Sequence, residues 1–429
     1  MTARIDSLTR AIAVADSSSH AAETAAAKDS LAGVALARTD TLARVLTAHA
    51  DSASRATTST GRADTTRTAA ADTSRGPFDY VWVVRTSLLS PGSVDQVVEA
   101  AKAQHVRGLL VQVIGRGDAY YRSDRLPRSE ALPRDDFDPL GRLIEEAHAA
   151  GIEVHAWINC MLVWSAEKLP RDPRHVVNAH PEWIARMKDG RRLSQLTPRQ
   201  RRQLGIEGIF LAPAQPGVRT WIAQNAQEIV RRYPVDGVHL DYIRQPRVAV
   251  GWDPSTRARF AMRTGVDPGR FDRVPAWQRP HVDSLWKEFQ SDQVRAAVEE
   301  VRDSVRAVRP GLAVSAAVIA DTVTAEKFNA QTWRDWLGRG SLDRVFVMCY
   351  APSVQTVMEQ LLGYSTGRVR EDRIVPGIAV YNTEPAAAAA KIRGAHALGF
   401  PTLALYSYDS LAEQPGYWSR LLHLLDTLH

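Results

Sequence analysis

From Phe78 onward, short apolar runs rich in β-branched and aromatic residues alternate with amphipathic stretches, and the alternation repeats eight times. The strand-like runs are YVWVVR (80–85), GLLVQVI (108–114), IEVHAWINC (152–160), GVHLDYI (237–243), LAVSAAVI (312–319), RVFVMCY (344–350), IVPGIAVY (374–381) and TLALYSY (402–408). Helical patterns such as SVDQVVEAAKAQ, DPLGRLIEEAHAAG, VRTWIAQNAQEIVRRY and AAAAAKIRGAHALG lie between most of them. A strand that is followed by a helix before the next strand pairs in parallel, because the helix carries the chain back across the sheet. Eight such units predict an α/β chain folded as a closed (β/α)8 TIM barrel. An open doubly wound sheet is the alternative. No glycine-rich phosphate turn follows the first run, which argues against it.

Residues 1–76 read differently. No aromatic residue precedes Phe78 and no proline precedes Pro77, and Ala, Thr, Ser, Asp and Arg dominate. This composition predicts a low-complexity N-terminal extension, partly helical or disordered, ahead of a barrel domain over 77–429. The opening MTARIDSLTRAIAVADSSS has an apolar patch too short for a secretory leader, and no apolar run is long enough to span a membrane. The two cysteines, Cys160 and Cys349, stand in apolar strand-like runs without metal-ligand spacing, so neither a disulfide framework nor a metal or other cofactor is expected. The net charge of +6 is spread among interleaved acids and bases, which offers no stripe for nucleic acid.

Two connections are long, 161–218 after the third run and 245–290 after the fourth. Both follow the carboxyl end of a strand, the face where barrel sites are built. In the fourth run, period-two alternation puts His239 and Asp241 on one face, opposite Val238 and Leu240. Asp241 then stands at the upper rim of the lumen. A carboxylate there needs partners. Arg85, ending the first run, is the expected one and would keep Asp241 ionised. The alternative is a purely structural carboxylate paired with Arg244 or Arg85. No GxSxG nucleophile elbow is present.

DGVHLDYIR (236–244) resembles the fourth-strand signature of the glycosyl-hydrolase-like family ten. The likeness extends to WVVRTSLLSP (82–91), GRGDAYYRS (115–123), FDPLGRLIEEAHAAGIEVHAWIN (137–159), HPEWIARMKDGRR (180–192) and LAPAQPGVRTWI (211–222). It departs at Ala212 and Gln245, where the family often has Asp or Asn and Tyr. The resemblance implies hydrolysis of glycosidic bonds, with bacterial cell-wall glycan or related amino-sugar polymers as substrates, at the cell envelope or outside the cell. A fainter likeness to the family-18 chitinases rests on the acidic fourth strand and on Met348 and Tyr350 in VMCYAP. The chitinases' terminal Glu falls on Ile243, so their mechanism does not transfer.

Glycoside hydrolysis generally uses two carboxyl groups. Asp241 is the first candidate. Asp409 and Glu384, after the eighth and seventh runs, rank next for the second, ahead of Asp118 and Asp321; helix capping or a surface loop is the bland reading of each. Sugar binding asks for aromatic faces and forked donors. The substrate-binding candidates are Arg85, Arg116, Asp118, His155, Trp157, Asn159, His239, Tyr242, Arg244, Tyr350, Tyr381 and Tyr408, with Gln112 as a further lumen residue. Trp157 reads more readily as barrel core. A non-catalytic glycan-binding barrel is the rival function.

Overall fold

The computed structural model describes residues 78–133, 136–365 and 371–426, so the 1–76 extension lies outside the described residues. Ten strands occur: β1 (Tyr80–Val83), β2 (Gly108–Ile114), β3 (Glu153–Asn159), β4 (Leu162–Trp164), β5 (Ile209–Phe210), β6 (Gly237–Asp241), β7 (Ala313–Ile319), β8 (Arg344–Cys349), β9 (Ile374–Ala379) and β10 (Ala404–Tyr406). Eight of them form a closed barrel in the order β1-β2-β3-β6-β7-β8-β9-β10. These are the eight runs read from the sequence, trimmed at their ends. The short β4 and β5 pair antiparallel within the long 161–218 connection.

Both faces of β1, β2 and β6 are buried, which is why these segments are nearly continuous in apolar residues. Val238 and Leu240 are fully buried on β6, each side chain contributing about 2 kcal/mol of burial. The helices start on a recurring device: a capping side chain followed by proline, whose fixed φ and missing N–H suit the first helical position. Ser90 caps Pro91–Ala103, Asp138 caps Pro139–Ala149 and Asp253 caps Pro254–Thr264. The last of these stops at Gly265, in the left-handed region at φ 74.

The described residues group into two compact units. One holds Tyr80–Met348 with Arg373–Val375, and the other draws on Cys349–Asp372 and Pro376–His429. In the first, the connection after β6 ends earlier than the sequence suggests, because the helix Arg279–Val308 already begins within it. That connection carries its own small core, in which Phe260 and Phe289 pack with Phe271, Leu285 and Trp286. In the second, the helices Pro385–Ala397 and Tyr417–Asp426 pack on each other. There the fully buried Lys391 donates to the Ala351 carbonyl at 2.7 Å and to Thr383 Oγ1 at 3.1 Å.

Candidate functional site

The register of β3 on β6 sets Asn159 beside Asp241 and Trp157 beside His239. The first pair ends the strands; the second lies one layer deeper. Asp241 is 8% exposed. Its Oδ1 accepts the Tyr242 backbone N–H at 2.6 Å, and the Trp157 side chain also hydrogen-bonds to it. Burial pushes its pKa up to about 6, against the lowering effects of the Tyr242 N–H, the Arg244 charge and the Trp157 bond; the charge of Glu207 adds to the rise. A carboxylic acid so placed gives and takes protons near neutral pH.

The backbone behind Asp241 is held unusually. Tyr242 has φ 46, in the left-handed region, which costs an order of 1–3 kcal/mol for a residue with a side chain. Two bonds from the chain after β3 fix it: the Cys160 N–H donates to the Asp241 carbonyl at 2.8 Å and the Met161 N–H to the Tyr242 carbonyl at 3.1 Å. Tyr242 thereby turns against Arg244, whose guanidinium lies 4.7 Å from the ring centre. Arg244 is buried and donates through Nη2 to Glu207 Oε1 at 2.7 Å.

A chain of side-chain bonds runs along the rim. Arg85 Nη1 donates to Gln112 Oε1 at 2.7 Å, and Gln112 Nε2 donates to Asn159 Oδ1 at 3.3 Å. Trp157 Nε1 donates to the same Asn159 oxygen at 3.1 Å, and Asn159 Nδ2 donates to the Gly115 carbonyl at 2.8 Å. The expected Arg85–Asp241 pair is therefore corrected. Arg85 ends on a neutral amide, and the cation acting on Asp241 is Arg244.

Next to this chain, Arg116 Nε donates to Ser165 Oγ at 2.9 Å, and Asp118 Oδ1 accepts the Arg116 backbone N–H. The buried His175 pins the turn. Its Nδ1 accepts the Val177 N–H, so the proton sits on Nε2, which donates to the Arg116 carbonyl at 2.7 Å. Burial lowers the His175 pKa, consistent with the neutral ring. Gly117, at φ 74, leaves room for that ring.

Three sequence candidates move out of the substrate-facing set. His239 has no exposed surface; its Nε2 accepts from Trp82 Nε1 at 3.1 Å and its Nδ1 donates to Ser315 Oγ at 2.9 Å. Burial pushes its pKa well down, so it is a neutral core group. His155, 6% exposed, lies nearer the barrel's other end, against Glu153 at 3.3 Å and edge-on to Tyr80. Trp157 is 3% exposed, so it is wall rather than stacking platform.

The second unit carries the other candidates. Tyr350, Tyr381 and Tyr406 form a cluster, with Tyr350 and Tyr406 5.0 Å apart and tilted by 32°, and Tyr381 half exposed. Tyr406 takes the place expected for Tyr408, because the strand ends at Tyr406 and Tyr408 opens the helix Tyr408–Ala412. Asp409 sits in the first turn of that helix, and Glu384 is the exposed residue preceding Pro385–Ala397. In the first unit, Asp321 caps Thr322–Asn329 through a 2.6 Å bond to Thr324 N–H, the bland role foreseen for it. Sequence reading missed Glu207, Ser165 and His175, which arrive on the 161–218 connection, where no periodicity marks side-chain direction.

Among the described residues no group of three or more His, Cys, Asp or Glu is placed to hold a metal, and no helix is long and apolar enough to cross a membrane. Both cysteines are buried and free.

A parallel (β/α)8 barrel with a buried carboxyl group of raised pKa at the carboxyl end of one strand has the architecture of barrels that carry their site on that face. Residues 81–384 match the glycosyl hydrolase-like 10 family, and the chain belongs to that family. It is similar to the glycosyl hydrolase DigH of Escherichia coli (strain K12), 26% identical over 316 residues, which cover 64% of this chain and 63% of DigH. It is also similar to the glycosyl hydrolase YngK of Bacillus subtilis (strain 168), 26% identical over 216 residues, covering 48% of this chain and 38% of YngK. The chain thus spans less than two thirds of either relative. Among solved structures, the glycoside hydrolase domain of PgaB (BpsB) from Bordetella bronchiseptica aligns with a TM-score of 0.62 at 15% identity, over 82% of this chain and 99% of that domain. At that identity the likeness is one of fold.

Proposed function

We propose that this protein hydrolyses glycosidic bonds in an oligo- or polysaccharide, with bacterial cell-wall glycan as the substrate, and that Asp241 is the proton donor to the leaving oxygen. The observation that carries the reading is the Asp241 carboxyl itself, nearly buried at the strand end and raised to about 6 by that burial. An acid of that strength is still partly protonated near neutrality, while an ordinary aspartate is not. Family membership and the names of the similar proteins agree with this chemistry. The half-exposed Tyr381, in its cluster with Tyr350 and Tyr406, offers a ring face suited to the C–H side of a sugar.

Hydrolysis by two carboxyl groups requires a partner for Asp241. Asp409 and Glu384 are the candidates, and Asp409→Asn and Glu384→Gln test them singly: the partner's loss lowers kcat as Asp241→Asn does. The test of the whole reading is release of reducing ends from purified cell-wall glycan. Wild type releases them and folded Asp241→Asn does not. Equal release by the variant overturns the role of Asp241. Glycan binding without release by wild type makes the protein a binding barrel instead.

A further inference from the structure

Other half-buried arginines fill their donors on carboxylates, as Arg142 does on Asp95, Arg306 on Asp343 and Arg295 on Asp292 and Glu299, or on several backbone carbonyls, as Arg309 and Arg373 do. Arg85 and Arg116 do not. Arg85 spends Nη1 on the Gln112 amide oxygen, and Arg116 spends Nε on the Ser165 hydroxyl. A guanidinium has five N–H donors, so Arg85 keeps Nε and Nη2, and Arg116 keeps both terminal nitrogens, without an acceptor from the described residues. None of these nitrogens is fully buried without a partner, so each keeps some access to solvent.

The two side chains are brought together by the turn after β2. Gly115 has no side chain where Arg85 crosses it: a Cβ there would stand 2.6 Å from Arg85 Cδ and 2.9 Å from Nε and Nη1. Arg116 is the next residue, with its carbonyl clamped by His175. The two charges sense each other: burial first, then the charge of Arg85, lowers the Arg116 pKa from its ordinary value. Asp118 offsets the Arg116 charge in part, but it spends Oδ1 on the Arg116 backbone N–H and forms no ion pair among the described residues. The pair thus has excess positive charge, open donors and a fixed backbone. Side chains kept together against mutual repulsion, with donors unfilled, suit an anion that supplies the missing acceptors.

We propose that Arg85 and Arg116 form an anion subsite that takes a carboxylate carried by the sugar chain. The proposal rests on the glycan reading above and deepens it: the substrate is an acidic glycan rather than a neutral one. The Gln112–Asn159 chain ties this subsite to the strand ends of β3 and β6, where Asp241 stands. A carboxylate held there fixes the register of the chain relative to the acid.

Two measurements on the full chain test it. In the first, the arginine Nε–H signals of wild type are followed by NMR during titration with glucuronate and, separately, with glucose. Saturable shifts of the Arg85 and Arg116 signals with glucuronate alone, lost in Arg116→Gln and in Gly115→Ala, support the subsite. Gly115→Ala keeps both charges and crowds the Arg85 side chain, so its failure to bind separates placement from charge. No shift, or the same shift with glucose, overturns the proposal. In the second, kcat/KM is compared between a glycan bearing free carboxylates and the same glycan with its carboxylates reduced to alcohols. A preference for the acidic chain on the order of 10- to 100-fold is expected from two charge-assisted contacts, collapsing in Arg85→Gln and Arg116→Gln. An unchanged preference in the variants overturns the proposal. Selective NMR shifts together with no cleavage of either chain leave the subsite standing and overturn the hydrolytic reading, so the two failures are distinguishable.

Discussion

His239 and Asp241 stand on one strand, on one face, a single residue apart, and the barrel treats them in opposite ways. Around His239 every polar atom is matched: Trp82 donates to one ring nitrogen, Ser315 accepts from the other, and Phe346 closes the layer edge-on at 5.1 Å. Burial there keeps the ring neutral and leaves it nothing further to do. One layer higher, Asp241 has donors on its carboxyl but meets the same desolvation, which shows as a raised pKa. At His239 the interior completes both ring bonds; at the rim burial raises the Asp241 pKa instead.

Substitution at the two positions should separate them. The largest effect is on turnover: Asp241→Asn lowers kcat by about 10³-fold while leaving thermal stability equal to or above wild type, read by reducing-end release and a thermal melt. His239→Leu does the reverse. It strands the Trp82 N–H and the Ser315 hydroxyl, costing about 3 kcal/mol in urea unfolding, with kcat per folded molecule near that of wild type. A stable but inactive His239→Leu would move the site down one layer.

The pH dependence of stability has opposite signs for the two groups. Asp241 rises from the ordinary 3.8 to about 6 on folding, so the folded state holds the proton more tightly. Its contribution therefore falls as pH climbs from about 4 to 6 and then levels, a loss of about 3 kcal/mol relative to Asp241→Asn. His239 is shifted down from 6.5, so its contribution is full above that pH and is lost as pH falls below it. Urea midpoints of wild type and Asp241→Asn across this range should converge at the acid end and separate above pH 6.

The smallest effects come from the neighbours of the rim carboxyl. Arg244→Leu removes a stabilising cation and moves the activity profile to higher pH. Glu207→Gln removes an opposing anion and moves it to lower pH. Each changes the rate at fixed pH by less than about 10-fold. Shifts of the same sign in both variants would show that the pair acts on Asp241 by packing and not by charge.

The eight barrel strands could be read from the chain because alternation of strand and helix is a local pattern that the parallel sheet demands. The position of Asp241 followed from period-two geometry and from its place at the strand end. That same geometry set His239 beside it, and depth, which decides their roles, leaves no mark on a period-two pattern. Tyr406 and Tyr408 show the limit at a strand end: both fit the alternation, and only the Ser407 cap, which begins a helix, separates them. Arg85 was given the wrong partner because the sequence does not show that Gln112 reaches it first. Glu207 sits just before a two-residue strand in an irregular connection, and it reaches Arg244 across 37 residues of chain.

The most direct measurement of the Asp241 claim is a ¹³C NMR titration of its side-chain carboxyl, run beside the pH profile of kcat/KM on cell-wall glycan. The expected result is a carboxyl that titrates near 6 and a kcat/KM that declines above the same pH, both absent in Asp241→Asn. A carboxyl titrating near 4, as an ordinary aspartate does, or a decline in kcat/KM that persists in Asp241→Asn, would contradict it.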